Sequence, residues 1–342
     1  MKIQFEAIAE DRPGPGWRSV FDRHWPAYRH WFTRDGVRAR PTYLACLKAL
    51  RSHMPELLPA FEALSETAGG GDLEARFLSM WCPPAYVGGC SQALILGPPP
   101  ALIRNYDYSP VLFEGTWFAS RLNGRRVLAV TDCLWGVLDG INEEGLAVSL
   151  AFGGSRKAGK GFGIPLVLRY VLEFAATVPE AIAMLRRLPV HMSYSVAVID
   201  RAGSYATVFV TPDRNAETVD HRVSTNHQHR VEWQRHAEAT KSVEREAVLN
   251  RALLHAEGPE DLLRSFMLPP VYQTGYGRGY GTLYTAMYRP EDASAELIWP
   301  TMRWRQSCAE FIGGIRTVQF DETAGHGRPP PLKRVAIPRG AL

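Results

Sequence analysis

Gly88-Gly89-Cys90-Ser91-Gln92-Ala93-Leu94-Ile95-Leu96 is followed, after a turn at Gly97-Pro98-Pro99-Pro100, by Ala101-Leu102-Ile103-Arg104-Asn105-Tyr106-Asp107. This is where the texture of the 342-residue chain changes. Two short apolar runs flank a proline turn and read as strands at 91–96 and 102–106. Everything upstream reads differently. Ser19–Trp31, Tyr43–His53 and Leu57–Leu64 carry apolar residues at helical spacing, and Leu73–Met80 predicts a further short helix. Thr67–Asp72 is a glycine-rich linker. Cys82-Pro83-Pro84 ends the helical stretch, because a residue before proline is pushed out of the α region.

Downstream, 126–132 and 145–152 predict strands, separated by a turn at Asp139–Gly145. Ile164–Ala176 and Pro179–Leu188 predict two helices in series, with Pro165 and Pro179 at first-turn positions. A strand pair follows at 194–200 and 205–211, then a polar helix over 231–255, then a hairpin at 282–288 and 296–299. From about Asp321 the tail has few apolar residues and is expected to be loosely ordered. Strands in meander runs around a helix pair predict an α+β protein, with packed antiparallel sheets flanked by helices. Regular βαβ alternation and internal repeats are absent.

Hydrophobic residues make up 46% and charged residues 22%, as in a globular protein. The formal net charge of +4 is dispersed, so no nucleic-acid partner is expected. The first residues lack the apolar core of a signal peptide, and no apolar run is long enough to span a bilayer. A cytoplasmic location and no membrane partner are the resulting expectations. The five cysteines are scattered and include no C-x-x-C pair. That argues against a disulfide framework or a cysteine-rich zinc site, so no metal is expected. The ordinary reading of each free cysteine is a small buried hydrophobe.

Cys90 has a second reading. An amide resists attack, so its cleavage needs a strong nucleophile, a base and a stabiliser for the oxyanion. A thiol has an ordinary pKa of about 8.5, whereas a chain-terminal amine lies near 7.7–8.0. A cysteine released as a new first residue carries both nucleophile and base. Gly89 before it offers the backbone freedom that self-cleavage needs. Asp107 is a candidate to hold the amine, and Arg104 favours thiolate over thiol. Asn105 is a further polar candidate. Read alone, Gly-Gly-Cys is equally a plain turn, and Arg-x-x-Asp a surface ion pair of little worth.

With these residues in view, the chain resembles the N-terminal-nucleophile hydrolases. It is most similar to the acyl-coenzyme A:6-aminopenicillanic acid acyltransferase family (peptidase C45-like), whose relatives include choloylglycine hydrolases and penicillin V acylases. Five places in chain order carry the resemblance: Gly89-Cys90-Ser91, Arg104–Asp107, Gly140–Leu146, Ser224-Thr225-Asn226-His227 and Gly281-Thr282-Leu283-Tyr284. The resemblance implies a four-layer αββα sandwich and autocatalytic cleavage between Gly89 and Cys90. Residues 1–89 would then be a helical propeptide-like subunit that stays as partner, 90–320 the catalytic core, and 321–342 the tail. It also implies Cys90 as nucleophile of a thioester acyl-enzyme, Asp107 as partner of the α-amine, Arg104 beside the thiol, and Asn226 near the oxyanion or amine. The substrate class would be a linear amide or an acyl donor. No cofactor is implied, and a coenzyme A thioester enters only as a possible acyl-donor substrate. Two features depart from the pattern. Relatives often carry an Asn where Ala151-Phe152 stand here. A late family arginine has two candidates, Arg278 and Arg303.

Two alternatives remain in the sequence. A non-catalytic binding protein could keep the same fold. Gly154-Ser-Arg-Lys-Ala-Gly159-Lys160-Gly161 nearly spells a phosphate-binding loop, but Gly161 stands where a metal-holding Ser or Thr is required. Gly275–Gly281 alternates glycine with aromatics and reads as a loop lining a pocket or as a surface turn. His227 and His229 read as hydrogen-bonding or solvent-facing, with no acidic or cysteine partner at metal-ligand spacing.

Overall fold

The structure, a computed structural model, describes residues 1–320, so the expected tail at 321–342 lies outside the described residues. The chain opens on β1 (Lys2–Glu10), then α1 (Pro15–Phe32), α2 (Tyr43–His53), α3 (Leu58–Thr67) and α4 (Asp72–Leu78). A run of strands follows: β2 (Gly89–Ile95), β3 (Ala101–Tyr108), β4 (Thr116–Ser120), β5 (Val127–Asp132), β6 (Gly136–Asn142) and β7 (Ala147–Phe152). Next come α5 (Ile164–Phe174), α6 (Val178–Arg187), β8 (Tyr194–Ile199), β9 (Tyr205–Val210), β10 (Glu217–Val219) and β11 (Val223–Ser224). The last elements are α7 (Gln234–Ala239), α8 (Ser242–His255), α9 (Pro259–Phe266), β12 (Gly281–Arg289), β13 (Ser294–Trp299), β14 (Met302–Ser307) and β15 (Gly314–Gln319).

The strands form two sheets. One has the order β10-β9-β8-β7-β6-β5-β4-β1-β15, the other β11-β2-β3-β12-β13-β14. β2 and β3 of the smaller sheet face β7 and β8 of the larger one. α5 and α6 cover the outside of the larger sheet, and α8 and α9 the outside of the smaller. The result is the expected αββα sandwich. β2 and β3 are buried on both faces, so they read as continuous apolar runs with little alternation. Ala93, Ile95, Ala101 and Ile103 join the core under α8 and α9, with Leu249 and Phe266. Leu94, Leu102 and Tyr106 belong to the core between the sheets.

The first 89 residues are not purely helical. Residues 2–10 form β1, parallel to β4 and antiparallel to β15. The alternation Ile3, Phe5, Ala7 against Lys2, Gln4, Glu6 is the strand signal there. Glu10 ends β1 and caps α1, accepting from the N–H groups of Gly14, Gly16 and Trp17. These are donors that a helix start otherwise leaves unsatisfied. Trp17 Nε1 donates to Leu134 O, and Trp135 Nε1 to Leu78 O, so α1 and α4 are tied into the β5–β6 region.

Two expected elements change shape. Asp139–Asn142 continue β6, and the turn is confined to 143–146. Asn142 Oδ1 accepts from the N–H of Glu144 and of Leu146, while its Nδ2 donates to Leu172 O and Ala175 O. One side chain therefore closes the turn and satisfies carbonyls at the end of α5. The polar helix of 231–255 breaks at Thr240-Lys241, where Lys241 has φ +53. The break starts α8 afresh and directs its inner face at β2.

Candidate active site

Cys90 faces the space between the sheets, and its neighbours follow from strand register. In the β2–β3 pair Cys90 lies opposite Tyr106, and Gln92 opposite Arg104. Arg104 is thus the diagonal neighbour of Cys90 on the same face. Its Nη2 donates to Cys90 Sγ at 3.1 Å. The rest of the guanidinium is fixed by Leu150 O at 3.1 Å, Tyr284 Oη at 3.0 Å and an ion pair with Asp139. Tyr284 and Tyr288 both donate to Asp139. Burial pushes the Cys90 thiol above its ordinary value, and Arg104 opposes that rise.

Arg-x-x-Asp on a strand puts its two ends on opposite faces. Arg104 and Asp107 therefore lie on opposite faces of β3, with Arg104 on the side of the thiol. Asp107 lies alongside Gly89 on the outer face of the sheet, towards α8. Its carboxylate accepts from Thr282 Oγ1 at 2.6 Å and pairs with Arg245 at 3.2 Å. Burial raises its pKa, with Arg245 and Thr282 working against the rise. The Cys90 N–H instead donates to Asn226 Oδ1 at 3.1 Å. Asn226 Nδ2 donates to Phe152 O at 3.2 Å, which fixes the amide beside the Cys90 nitrogen.

Arg245 was not foreseen. It is fully buried on α8 and joins the pieces. Its donors reach Thr240 O, Cys90 O, Ser91 Oγ, Asp107 Oδ2 and Asn226 Oδ1. The available signal was an arginine in register with apolar positions: Ser242, Arg245, Leu249 and Leu253 are the buried residues of α8. Arg278 occupies an exposed short turn, and Arg303 lies on β14 with Glu260 and Glu296. Asn105 lies on the outer face of β3, where it donates to Phe266 O and Val271 O and accepts from Thr285. It anchors the α9–β12 connection. Ala151 is buried opposite Ser195 and offers no side-chain donor.

Gly89 is required for a different reason from the one expected. It sits in extended strand, where any residue can follow the backbone. However, a Cβ there would lie 1.7 Å from Tyr280 Oη. The glycine-aromatic loop thus sets a buried tyrosine hydroxyl against the Cα of Gly89, on the side of Asp107, and that hydroxyl makes no hydrogen bond. His236 of α7 packs against Trp233 and Phe152, near Gly88. Burial lowers its pKa to about 4, so it is neutral at pH 7.

The loop at 154–161 does not open a helix. Gly161 O accepts from Cys82 N, and Phe162 bridges Trp81 and Val190 before α5 starts at Ile164. Gly154, at φ +73, packs against the Asn226 carbonyl and shapes the site's wall. His227 bonds Glu246 and Ser242, and His229 bonds Glu217. Among the described residues no helix is long and apolar enough to cross a membrane.

Beside Cys90 is a cavity of about 20 Å³, room for about one water molecule. Tyr86 and Gly88, just before the Gly89–Cys90 bond, form part of its wall. Asp132 forms another part. Asp132 and Glu114 share the hydroxyl of Tyr28, which comes from α1. Burial raises the Glu114 carboxyl to about 7, and Asp132 moves in the same direction. The folded protein therefore holds a proton that an unfolded Glu releases above about pH 4.3. The stability this cluster contributes is full at low pH and is lost as pH rises towards 7. His236 acts oppositely: its unfolded form binds a proton from about pH 6.5, so stability falls as pH drops towards 4. Glu114→Gln is expected to leave a urea midpoint that no longer declines between about pH 4 and 7 relative to wild type. An unchanged pH curve would show that the pair carries no such linkage.

Stacked antiparallel sheets flanked by helices are the architecture of the amide hydrolases and acyltransferases of the N-terminal-nucleophile type. Within that class the chain belongs to the acyl-coenzyme A:6-aminopenicillanic acid acyl-transferase family, whose model matches residues 97–304. Sequence comparison with curated proteins returns no match. Among solved structures the chain is similar to a conjugated bile acid hydrolase from Clostridium perfringens, at 11% identity and a TM-score of 0.47 over 68% of this chain and 98% of that one. It is similar to an N-acylethanolamine-hydrolyzing acid amidase ortholog of Caenorhabditis elegans at 16% identity and a TM-score of 0.44, over 67% of this chain and all of that one. A penicillin V acylase from Agrobacterium tumefaciens matches at 12% identity and a TM-score of 0.41, over 68% of this chain and 85% of that one.

Proposed function

We propose that this protein is a cysteine amidohydrolase or acyltransferase that activates itself by cutting the Gly89–Cys90 bond. The observation that carries the reading is Arg104 Nη2 on Cys90 Sγ, with Asn226 on the N–H of the same residue. A guanidinium at the sulfur favours thiolate once the site opens to water. In the self-cutting step, Sγ attacks the Gly89 carbonyl carbon and the Cys90 nitrogen leaves with the thiol proton. Water then hydrolyses the thioester, releasing the Gly89 carboxylate, the free thiol and an α-amine.

After the cut, Asn226 Oδ1 holds the new amine, and Asp107 acts on it through Arg245 and the strand pair, as a positioning residue. The amine takes the thiol proton as Sγ attacks a linear amide. The amine part leaves with that proton, and a thioester remains. Water resolves it to an acid, or an acceptor amine takes the acyl group. A coenzyme A thioester would enter as an acyl donor by the same attack. The uncut chain is closed, because Tyr86 and Gly88 wall the cavity. Intact mass and N-terminal sequencing of the purified protein test this: two fragments, 1–89 and 90–342, are expected. One persistent uncut chain with full amidase activity would overturn the self-cutting.

A further inference from the structure

A groove at the C-terminal end of α6 carries a charge pattern that chemistry at Cys90 does not use. It encloses about 240 Å³. Its walls are His53 at the end of α2, Lys160 on the glycine-rich loop, residues 185–190, and residues 210–212 and 214–216 from the end of β9 onward. None of these residues lines the cavity beside Cys90. Lys160, Arg186, Arg187 and Arg214 are cations, and among the described residues no carboxylate lines the groove. Arg187 is fixed in place, donating to His53 O at 2.6 Å and to the Tyr170 hydroxyl. Arg214 has Asp213 and Glu232 at 3.7 and 3.5 Å, longer than a good hydrogen bond. Lys160 and Arg186 are exposed and, among the described residues, form no hydrogen bond or ion pair.

The glycines of the 154–161 loop set Lys160 in this position. A Cβ on Gly159 would lie 2.6 Å from Pro212 Cβ, and a Cβ on Gly161 would lie 2.3 Å from the Val190 carbonyl carbon. The loop is therefore pressed against both walls of the groove, with the lysine between them. The last turn of α6 suits Arg186 and Arg187 through the helix dipole. Lys160 and Arg214 come from other elements, and the dipole gives no reason for their arrival. Like charges gathered around a concave surface focus a positive potential inside it. Guanidinium forks match phosphate oxygens in pairs, and a lysine adds a point charge. The volume is several times the share of one water molecule, about 30 Å³, which leaves room for two linked phosphoryl groups. Without a carboxylate in the lining, Mg²⁺ has no hard anionic ligand from the protein, so the phosphoryl oxygens meet the cations directly.

We propose that the groove between the end of α6, the 154–161 loop and the segment after β9 is a second ligand site, which binds a diphosphate group through Lys160, Arg186, Arg187 and Arg214. The site stands whether or not the chain cuts itself. Its walls come from both sides of the proposed cut, His53 from before Gly89 and the four cations from after it. The glycine-rich run that nearly spells a phosphate loop thus serves phosphate in another way. Its glycines allow close packing on Val190 and Pro212, and its lysine works without a helix N-terminus behind it.

The test is calorimetric titration of the full-length protein with pyrophosphate, sulfate and adenosine diphosphate at low salt and without Mg²⁺. Pyrophosphate is expected to bind one per chain, about tenfold or more tighter than sulfate, since it adds at least one charge-assisted hydrogen bond. Lys160→Glu and Arg186→Glu should each weaken it by about tenfold or more, while Lys160→Arg keeps most of the affinity. Both residues are exposed, so these variants should fold. Arg251→Glu is the control for net charge. It is exposed on α8, which covers the opposite side of the sandwich from α6, and it should change the affinity by less than about twofold at a distance beyond the screening length. Adenosine diphosphate separates two sources of the same group. Binding as tight as pyrophosphate or tighter assigns the group to a nucleotide-bearing ligand, and binding about tenfold weaker assigns it to free diphosphate. No binding of pyrophosphate, binding no tighter than sulfate, equal weakening by Arg251→Glu, or a requirement for Mg²⁺ overturns the site.

Discussion

Cys90→Ala is expected to leave one uncut chain of 342 residues with no amide-cleaving activity. The side chain removed is small, and its pocket neighbours are held by other bonds. Arg104 keeps Asp139, Tyr284 and the Leu150 carbonyl when it loses the sulfur. The fold should therefore survive with a cost of about 1 kcal/mol, in the lower range of large-to-small changes. Activity should fall to background, because no other cysteine contacts Arg104 or Asn226 among the bonds of the described residues. Cys90→Ser retains an oxygen nucleophile and should still cut, orders of magnitude more slowly, since a hydroxyl is far less nucleophilic than a thiolate at neutral pH. Gel mobility after expression, followed by terminal sequencing, reads both variants. A Cys90→Ala chain that still splits at Gly89 would assign the cut to another group.

Arg245→Met should be the most destabilising single change in the site. Methionine matches the stem but removes donors from five acceptors at once. Asp107 would be left as a buried carboxylate whose remaining side-chain partner is Thr282. Removing one member of a buried ion pair costs roughly 3–5 kcal/mol, because the other charge stays desolvated. Protonation of Asp107 limits that cost at low pH, so the variant should lose least stability there. Arg245→Lys should recover only part, since one ammonium cannot span acceptors that lie around a planar fork. Urea midpoints at neutral and acidic pH measure the effect. The same variants should also cut slowly, because Asn226 loses the group that aims its Oδ1 at the Cys90 nitrogen. A midpoint unchanged by Arg245→Met would show that Asp107 is neutral in the folded chain.

Much of this arrangement was legible before any coordinates. The β2–β3 pair followed from two apolar runs around prolines, and Arg104 from its position on the second run. Helices α2 and α6 fell within a residue of expectation, because capping signals and proline mark their ends. What failed has specific physical causes. The 231–255 helix was read as continuous, whereas Lys241 at φ +53 breaks it and starts α8 afresh. Arg245 and Asp139 escaped because their roles depend on which helix and strand come to face β2 and β3, which is a matter of packing. Gly89 was credited with conformational freedom, but its need is steric and comes from Tyr280, 191 positions downstream. β1 was lost among helices because its alternation is short and only partly buried.

That first strand changes what a cut at residue 89 would mean. β1 lies between β4 and β15, and among the described residues β15 has no other neighbour in its sheet. The strand at the far end of the described chain is therefore hydrogen-bonded to the body through the piece that cleavage severs. Cutting frees a terminus but releases no fragment. It does change the order of the folding reaction. An intact chain returns to this fold by a unimolecular path. A cut one must bring two molecules together, so its recovery depends on concentration. Self-cutting, as proposed, would convert a reversible fold into one kept largely by the slowness of its own unfolding.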